Sequence, residues 1–159
     1  MKLEEQTRRQ FCTRTCQVAS VAALGALAAA LESCGGSSPT SPGGGNASAL
    51  PAVSGTVSGN TITVTVTGTA LATVGALALV RTSAGDVLAA RTGAETFTAL
   101  SAGCTHQSCE ITGFAGQIFV CPCHGSQFDS SGRVVQGPAA VALHQFQTQF
   151  ASDVLTITA

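Results

Sequence analysis

The chain has 159 residues, with 7 basic and 8 acidic side chains, a formal net charge of −1 and a charged fraction of only 9%. This length allows one folded domain and a preceding segment, and the lack of a basic patch argues against a nucleic-acid partner. With so little charge, docking to a protein partner would depend more on shape and apolar contact than on electrostatic steering.

The N-terminus has the features of an export signal. Thr7-Arg8-Arg9-Gln10-Phe11 resembles a twin-arginine signal, with Arg8 and Arg9 ahead of an aromatic residue and an apolar stretch. The uncharged stretch Thr15–Leu31 is rich in Ala and Gly, so its transfer into a bilayer is weakly favourable. A cleaved signal is therefore favoured over a membrane span.

A site for lipid attachment follows the apolar stretch. The segment around Cys34 resembles a bacterial lipobox, in which the cysteine becomes the lipidated first residue. Cleavage after Ala28–Ala30, or an uncleaved N-terminal anchor, are the alternatives. Cys12 and Cys16 lie beside the signal arginines, and we assign them no role. The predicted organisation is thus a signal over residues 1–34 and a flexible Gly/Ser/Pro tether over 35–50.

The chain from residue 51 to 159 reads as strands and turns. Thr61–Thr67 alternates apolar and β-branched polar residues, which predicts a strand with one buried face. Val74–Val80 is apolar nearly throughout, which predicts a strand inside the fold. We predict further strands at 87–91, 96–100, 117–120, 145–150 and 154–157, a glycine-turned hairpin over 128–134, and no helix after residue 34. The phenylalanines at positions 97, 114, 119, 128, 146 and 150 are assigned to the core, and Asp129 with Arg133 to a solvated hairpin end.

Two short boxes of cysteine and histidine carry the chemistry. The first reads CTHQSC and runs from Cys104 to Cys109, and the second reads CPCHGS and runs from Cys121 to Ser126. Two thiolates and two imidazoles are ligands typical of zinc or of an iron-sulfur cluster. A closed tetrahedral zinc site would use all four, but it gives no reason for the additional cysteine in each box. His144, the third histidine, is predicted to be a surface residue.

The two boxes resemble those of the Rieske 2Fe-2S family, in the high-potential branch that has a disulfide between its two loops. The resemblance implies one 2Fe-2S cluster per chain. In it Cys104 and Cys121 would bind one iron, and His106 and His124 the other.

The resemblance also implies the fold and the disulfide. Cys109 and Cys123 would form the bridge between the loops. The domain over residues 51–159 would be all-β, an antiparallel β-sandwich base domain with a small cluster-binding subdomain of two loops at about residues 101–128.

Five further residues would surround the cluster. Gly125, Ser126 and Pro138 match the family pattern, Ser126 as a hydroxyl donor to a cluster sulfur and Pro138 in a loop that covers the cluster. Phe128 stands where the quinol-oxidising members commonly have tyrosine, and Gln107 where they usually place a shielding leucine. These two departures favour a carrier that does not meet quinol.

The function implied is that of an exported one-electron carrier, which is not catalytic by itself. As the iron-sulfur subunit of a respiratory quinol-cytochrome c oxidoreductase, it would face cytochrome b and c partners on the periplasmic side of the inner membrane. Quinol would hydrogen-bond to a ring nitrogen of His124 or His106. The alternatives are the small subunit of a periplasmic molybdenum oxidoreductase of the arsenite oxidase kind, a free-standing carrier and, remotely, a structural zinc module.

Overall fold

The computed structural model describes residues 47–158. These residues form thirteen strands and one 3-10 turn, Ala70–Ala72. The strands are β1 Ser48–Ala49, β2 Ala52–Ser54, β3 Thr56–Ser58, β4 Thr61–Thr65, β5 Leu77–Arg81, β6 Val87–Arg91, β7 Phe97–Ser101, β8 Gly113–Ala115, β9 Ile118–Val120, β10 Gln127–Phe128, β11 Val134–Gln136, β12 Gln145–Ala151 and β13 Val154–Thr158. The all-β prediction is confirmed. Within this range no helix has the length and apolar character needed to cross a membrane.

The strands form two sheets. The larger, here the base sheet, has eight strands in the order β2-β5-β6-β7-β12-β13-β4-β3, and the smaller, here the loop sheet, has the order β1-β8-β9-β10-β11. Neighbours run antiparallel except β2 and β5, which run parallel. The first candidate loop lies between β7 of the base sheet and β8 of the loop sheet, and the second joins β9 to β10 of the loop sheet.

The base sheet is bent by a single residue between its two end strands. Strands β2 and β3 are at opposite ends of the strand order, yet only Gly55 separates them in the chain. Gly55 N–H donates to Arg81 O at 2.9 Å. A Cβ at this glycine would lie 2.8 Å from Val80 Cγ1 and 2.9 Å from Ile62 Cγ2. The sheet therefore curls back on itself at a point with no room for a side chain.

Replacing Gly55 with alanine should lower the free energy of unfolding by roughly 1–3 kcal/mol, because the added methyl must displace two packed side chains. Denaturant unfolding monitored by circular dichroism would measure this loss. Gly103→Ala is the matched control, since its Cβ would lie 3.6 Å from the nearest atom. Equal unfolding free energies for the two variants would contradict the steric explanation.

Two hydrophobic cores lie on the two faces of β5, β6 and β7. Leu79, Leu88 and Leu100 belong to a core shared with residues of the loop sheet, including Phe119 and Phe128. The alternate residues of the same strands, with Leu155 and Ile157 of β13, form the second core inside the base sheet. Because both faces of these strands are covered, they lack the polar alternation of a half-exposed strand.

The predicted strands agree with the structure over most of their length. β4 has the predicted alternation of burial, and β6 has the predicted bounds. β5 begins at Leu77 rather than Val74, which is 54% exposed, because Gly75 turns the chain with a φ of 87°. Sequence analysis missed the short strands β1, β2, β3 and β8, which have two or three residues each.

Candidate functional site

The first loop, Cys104–Cys109, is closed at its base by backbone hydrogen bonds. Cys104 N–H donates to Cys109 O at 2.8 Å, and Ser108 N–H donates to Cys104 O at 2.7 Å. Ser108 has a φ of 56°, in the left-handed region that favours glycine. The loop is thus a tight turn in which the backbone N–H and C=O of Cys104 are both bonded to the last two residues of the loop.

The second loop, Cys121–Ser126, has the same pattern of backbone hydrogen bonds. Cys121 N–H donates to Ser126 O at 2.8 Å, and Gly125 N–H donates to Cys121 O at 3.0 Å. Gly125 has a φ of 74° and so corresponds to Ser108 of the first loop. Both loops therefore place a cysteine at the first position and a left-handed residue at the fifth.

Ser108→Gly should raise the free energy of unfolding by about 0.5–1 kcal/mol, because glycine has no Cβ to strain at a positive φ. Thermal unfolding of the two proteins would measure this gain. Gly125→Ala introduces a Cβ at the corresponding position and should have the opposite sign. A loss of stability in Ser108→Gly would show that the serine side chain contributes more than its backbone strain costs.

A disulfide between Cys109 and Cys123 joins the loops. The two Cα atoms lie 6.5 Å apart, and 14 positions separate the cysteines in the sequence. Cys109 is half-buried and Cys123 is exposed. The extra cysteine of each box thus joins the two loops covalently.

The other cysteine of each loop is a free, buried thiol. Among residues 47–158, Cys104 and Cys121 are the free cysteines, and their exposed fractions are 2% and 1%. Burial raises the pKa of the Cys121 thiol and the neighbouring Cys104 raises it further, whereas the backbone N–H groups of Cys123 and His124 lower it. A bound cation would favour the thiolate over the thiol here.

The two histidines of the boxes lie next to each other. The ring centroids of His106 and His124 are 4.9 Å apart, and the ring planes are perpendicular. His106 Nδ1 is buried and has no hydrogen-bond partner among the described residues. Since a buried nitrogen without a partner is costly, this atom fits a metal ligand better than a structural group.

The donor set therefore fits a 2Fe-2S cluster with mixed ligands. Cys104 and Cys121 supply two sulfurs, and His106 and His124 supply two imidazoles, from the same loop pair and beside one disulfide. Each loop contributes one ligand of each kind. In contrast, His144 is exposed, lies outside both loops and packs on Phe146, with ring centroids 4.9 Å apart.

Ser126 is the most buried polar residue at the site. Its exposed fraction is 0%, and its Oγ accepts a hydrogen bond from Ala139 N–H at 3.0 Å. That bond leaves the hydroxyl proton unused. The serine can therefore donate to a cluster sulfur, as the sequence analysis expects, while it holds the segment that contains Ala139.

This segment, Gly137–Val141 (the proline segment), is attached to both loops. Thr105 Oγ1 of the first loop donates to Val141 O at 2.6 Å, and Ser126 holds it from the second loop. The Gly137-Pro138 peptide is cis, and Pro138 is exposed. Sequence analysis placed Pro138 near the cluster but missed Thr105, whose pairing with a residue 36 positions away leaves no local pattern.

The two departures from the family pattern lie in different environments. Phe128 is fully buried in the shared core. Phenylalanine has no hydroxyl, so this position cannot donate a hydrogen bond to a ligand sulfur. Gln107 is exposed, so a polar side chain stands where a leucine would shield the first loop.

An ion pair connects the base sheet to the first loop. Arg81 Nη1 at the end of β5 donates to Glu110 Oε1 at 3.0 Å and also contacts Asp86. Glu110 directly follows Cys109 of the disulfide. The side chains of Arg81 and Glu110 are 50% and 41% exposed, so this pair orients the loop more than it stabilises the fold.

The hairpin end at Asp129 is more ordered than predicted. Its carboxylate accepts hydrogen bonds from Ser131 N–H and Oγ and from Arg133 N–H and Nε, at 2.6 to 3.0 Å. Burial alone would raise the pKa of Asp129, but the bonds from Ser131 and Arg133 lower it to about 2. The hairpin that follows Phe128 is thus closed by an ionised carboxylate rather than simply solvated.

Asp129→Asn should lower the free energy of unfolding by about 1 kcal/mol at neutral pH. The charged acceptor is lost, but water screens part of its effect. The folded pKa lies below the unfolded value of 3.8, so this stabilisation is present above that value and is lost as pH falls from it through about 2. Urea unfolding of both proteins at several pH values would test it. A stability difference as large at pH 2 as at neutral pH would contradict the ionisation argument.

The predicted signal residues lie outside the described part of the chain. Arg8, Arg9 and Cys34 remain predictions from the sequence, as do the export and lipidation they imply. Cys12 and Cys16 also fall in this part, and they keep no assigned role.

Comparison with known proteins agrees with the site. Residues 49–147 match the family model described as the Rieske 2Fe-2S domain. The cytochrome b6-f complex iron-sulfur subunit of Cyanothece sp. (strain PCC 7425) is 42% identical over 60 residues, which cover 37% of this chain and 34% of that protein. The subunit of the same name from Prochlorococcus marinus (strain MIT 9515) is 51% identical over 45 residues, 28% of this chain and 25% of that protein. The matches thus span about a third or less of these relatives.

Among solved structures, the plasma membrane Rieske protein PetC3 from Synechocystis PCC 6803 is 30% identical. The match covers 52% of this chain and 86% of that one, with a TM-score of 0.47.

Proposed function

Because this chain belongs to the Rieske 2Fe-2S domain family and is an electron carrier with one such cluster, we propose that it is the electron-transfer subunit of a respiratory quinol-cytochrome c oxidoreductase. The cytochrome b6-f relatives support a complex of this type. The observation that carries the proposal is the loop pair, in which two buried free thiols and two adjacent imidazoles stand beside a disulfide.

The proposed ligands are Cys104 and Cys121 on one iron and His106 and His124 on the other. When bound, the cluster supplies one-electron redox chemistry, and two neutral imidazoles raise its potential to roughly −150 to +300 mV. Each imidazole also keeps a second ring nitrogen that can hold or release a proton. His124 is exposed and His106 is partly buried, so His124 is the residue that meets an electron donor.

The surface around His124 is suited to an uncharged partner. Val141, whose carbonyl is bonded to Thr105 of the first loop, is 66% exposed, and Pro122 of the second loop is exposed. Within residues 47–158 the arginines are engaged in ion pairs or in hydrogen bonds to backbone carbonyls. Docking to a cytochrome partner would therefore rest on apolar contact and would change little with ionic strength.

Gln107 and Phe128 favour the second candidate, the small subunit of a periplasmic molybdenum oxidoreductase or a free-standing carrier. An exposed polar residue beside the loop gives a quinone ring less apolar surface, and a buried phenylalanine cannot donate a hydrogen bond to the ligand sulfur. Both differences are compatible with electron relay between proteins.

We further propose that the protein is exported by the twin-arginine route and held at the periplasmic face of the inner membrane. Arg8 and Arg9 support export, and Cys34 supports a lipid anchor. A twin-arginine route suits this cofactor because it transports folded protein with the cluster already inserted.

Purification of the tagged protein from solubilised membranes tests the function. The leading proposal expects b- and c-type haem in the preparation and bleaching of the cluster absorbance when a reduced quinone analogue is added anaerobically. Molybdenum without haem b, and no reduction by quinol, would support the second candidate. Intact mass of the membrane fraction would distinguish lipidated Cys34 from simple cleavage and from an uncleaved anchor.

A further inference from the structure

A free thiol lies beside the disulfide. The Sγ atoms of Cys109, Cys121 and Cys123 all lie within 4.8 Å of one another. Two of these sulfurs form the disulfide, and the third, Cys121, is a thiol that is 1% exposed. Thiol and disulfide that are held this close in one chain can exchange without any encounter between molecules.

We propose that Cys121 exchanges with the disulfide whenever the protein lacks its cluster. The Cys121 thiolate forms a new bond to Cys109 Sγ, and the Cys109–Cys123 bond breaks. The electron pair of the broken bond goes to the Cys123 sulfur, which takes up the proton that Cys121 released. One disulfide is exchanged for another, so no oxidant or reductant is consumed.

The direction of attack follows from the positions of the sulfurs. Cys121 and Cys123 are separated by a single residue, Pro122, so a bond between them would close a small ring around a rigid proline. Attack on Cys109 avoids this ring. It also makes Cys123 the leaving group, and since Cys123 is exposed its sulfur is released into water.

The exchange would act as a switch on cofactor uptake. A cluster bound to Cys121 withdraws that sulfur from exchange, so the loaded protein keeps its disulfide. In the unloaded protein exchange removes Cys121 from the ligand set and leaves a form that cannot bind the cluster. Cluster insertion must therefore precede the exchange, and a chain that loses its cluster becomes inactive as the exchange proceeds.

Mapping of the cysteines in cluster-free protein tests the proposal. The full-length chain, with Cys12, Cys16 and Cys34 changed to serine to exclude other thiols, is stripped of its cluster anaerobically by acid and chelator. It is then held at neutral pH, denatured with an alkylating reagent and digested for mass spectrometry. We expect alkylation of Cys121 to fall and that of Cys123 to rise by the same fraction, with a linked Cys109–Cys121 peptide. The fraction that accepts iron and sulfide should fall in parallel.

Two variants and the loaded protein serve as controls. Cys104→Ser and Cys121→Ser each remove one candidate ligand, but only Cys121→Ser should prevent the release of Cys123. The loaded protein should show no exchange over the same time, and this comparison holds even if a variant does not fold. Persistent alkylation of Cys104 and Cys121 alone, a Cys104–Cys121 disulfide, or a rate proportional to protein concentration would each overturn the proposal.

Discussion

His106→Ala should yield colourless protein, with iron and acid-labile sulfide falling from about two of each per chain to near zero. The buried Nδ1 of His106 has no hydrogen-bond partner among residues 47–158, which is unfavourable unless a metal binds it. Alanine removes this nitrogen and leaves three ligands for two irons. Metal analysis, the visible spectrum and the electron paramagnetic resonance signal after reduction would measure the loss.

His144→Ala is the matched control for this experiment. His144 is exposed, packs on Phe146 and lies outside both loops, so its removal should leave cluster content and spectrum unchanged. A full complement of iron in His106→Ala, or the same loss in both variants, would refute the proposed ligand set. Zinc in place of iron in the unaltered protein would refute it as well.

Changing Cys109 and Cys123 together to alanine should lower the free energy of unfolding by about 3 kcal/mol, because a loop of this length loses its closure in the unfolded chain. The sequence separation is 14, which sets the length of the closed loop. The cluster should still assemble in this variant, since both candidate thiol ligands remain. It should be lost at a lower temperature, which absorbance during slow heating would record.

Reductant provides the control for the disulfide variant. The unaltered protein with its disulfide reduced should lose the cluster at the same temperature as the double variant, and the variant itself should not respond to reductant. If the double variant lost its cluster at an unchanged temperature, the proline segment and the backbone hydrogen bonds of the loops would be sufficient to hold the loops together without the disulfide.

The chemistry of the site could be predicted from sequence because it depends on covalent groups at fixed short spacings. One residue lies between Cys104 and His106, and two lie between Cys121 and His124, so each pair must lie in one loop whatever the fold. Long alternating or apolar runs, such as those of β4 and β5, were predicted for a similar reason: their periodicity is a local property.

The short strands could not be predicted in the same way. β1 and β2 have two and three residues, too few to show a period, and their partners β8 and β5 are far away in sequence. The ordered carboxylate of Asp129 was also missed, because the sequence shows a charged turn and not the hydrogen bonds that it accepts.

The sequence by itself determined the ligand types, their division between two loops, and the β-strand character of the domain, since each depends on neighbouring residues only. The tertiary structure decided how the loops meet. The approach of the two imidazoles to 4.9 Å, the hydrogen bond from Thr105 to Val141, and the place of Cys121 beside the disulfide all join residues brought together by packing of the two sheets. Such contacts depend on the whole chain folding at once, and no short segment encodes them.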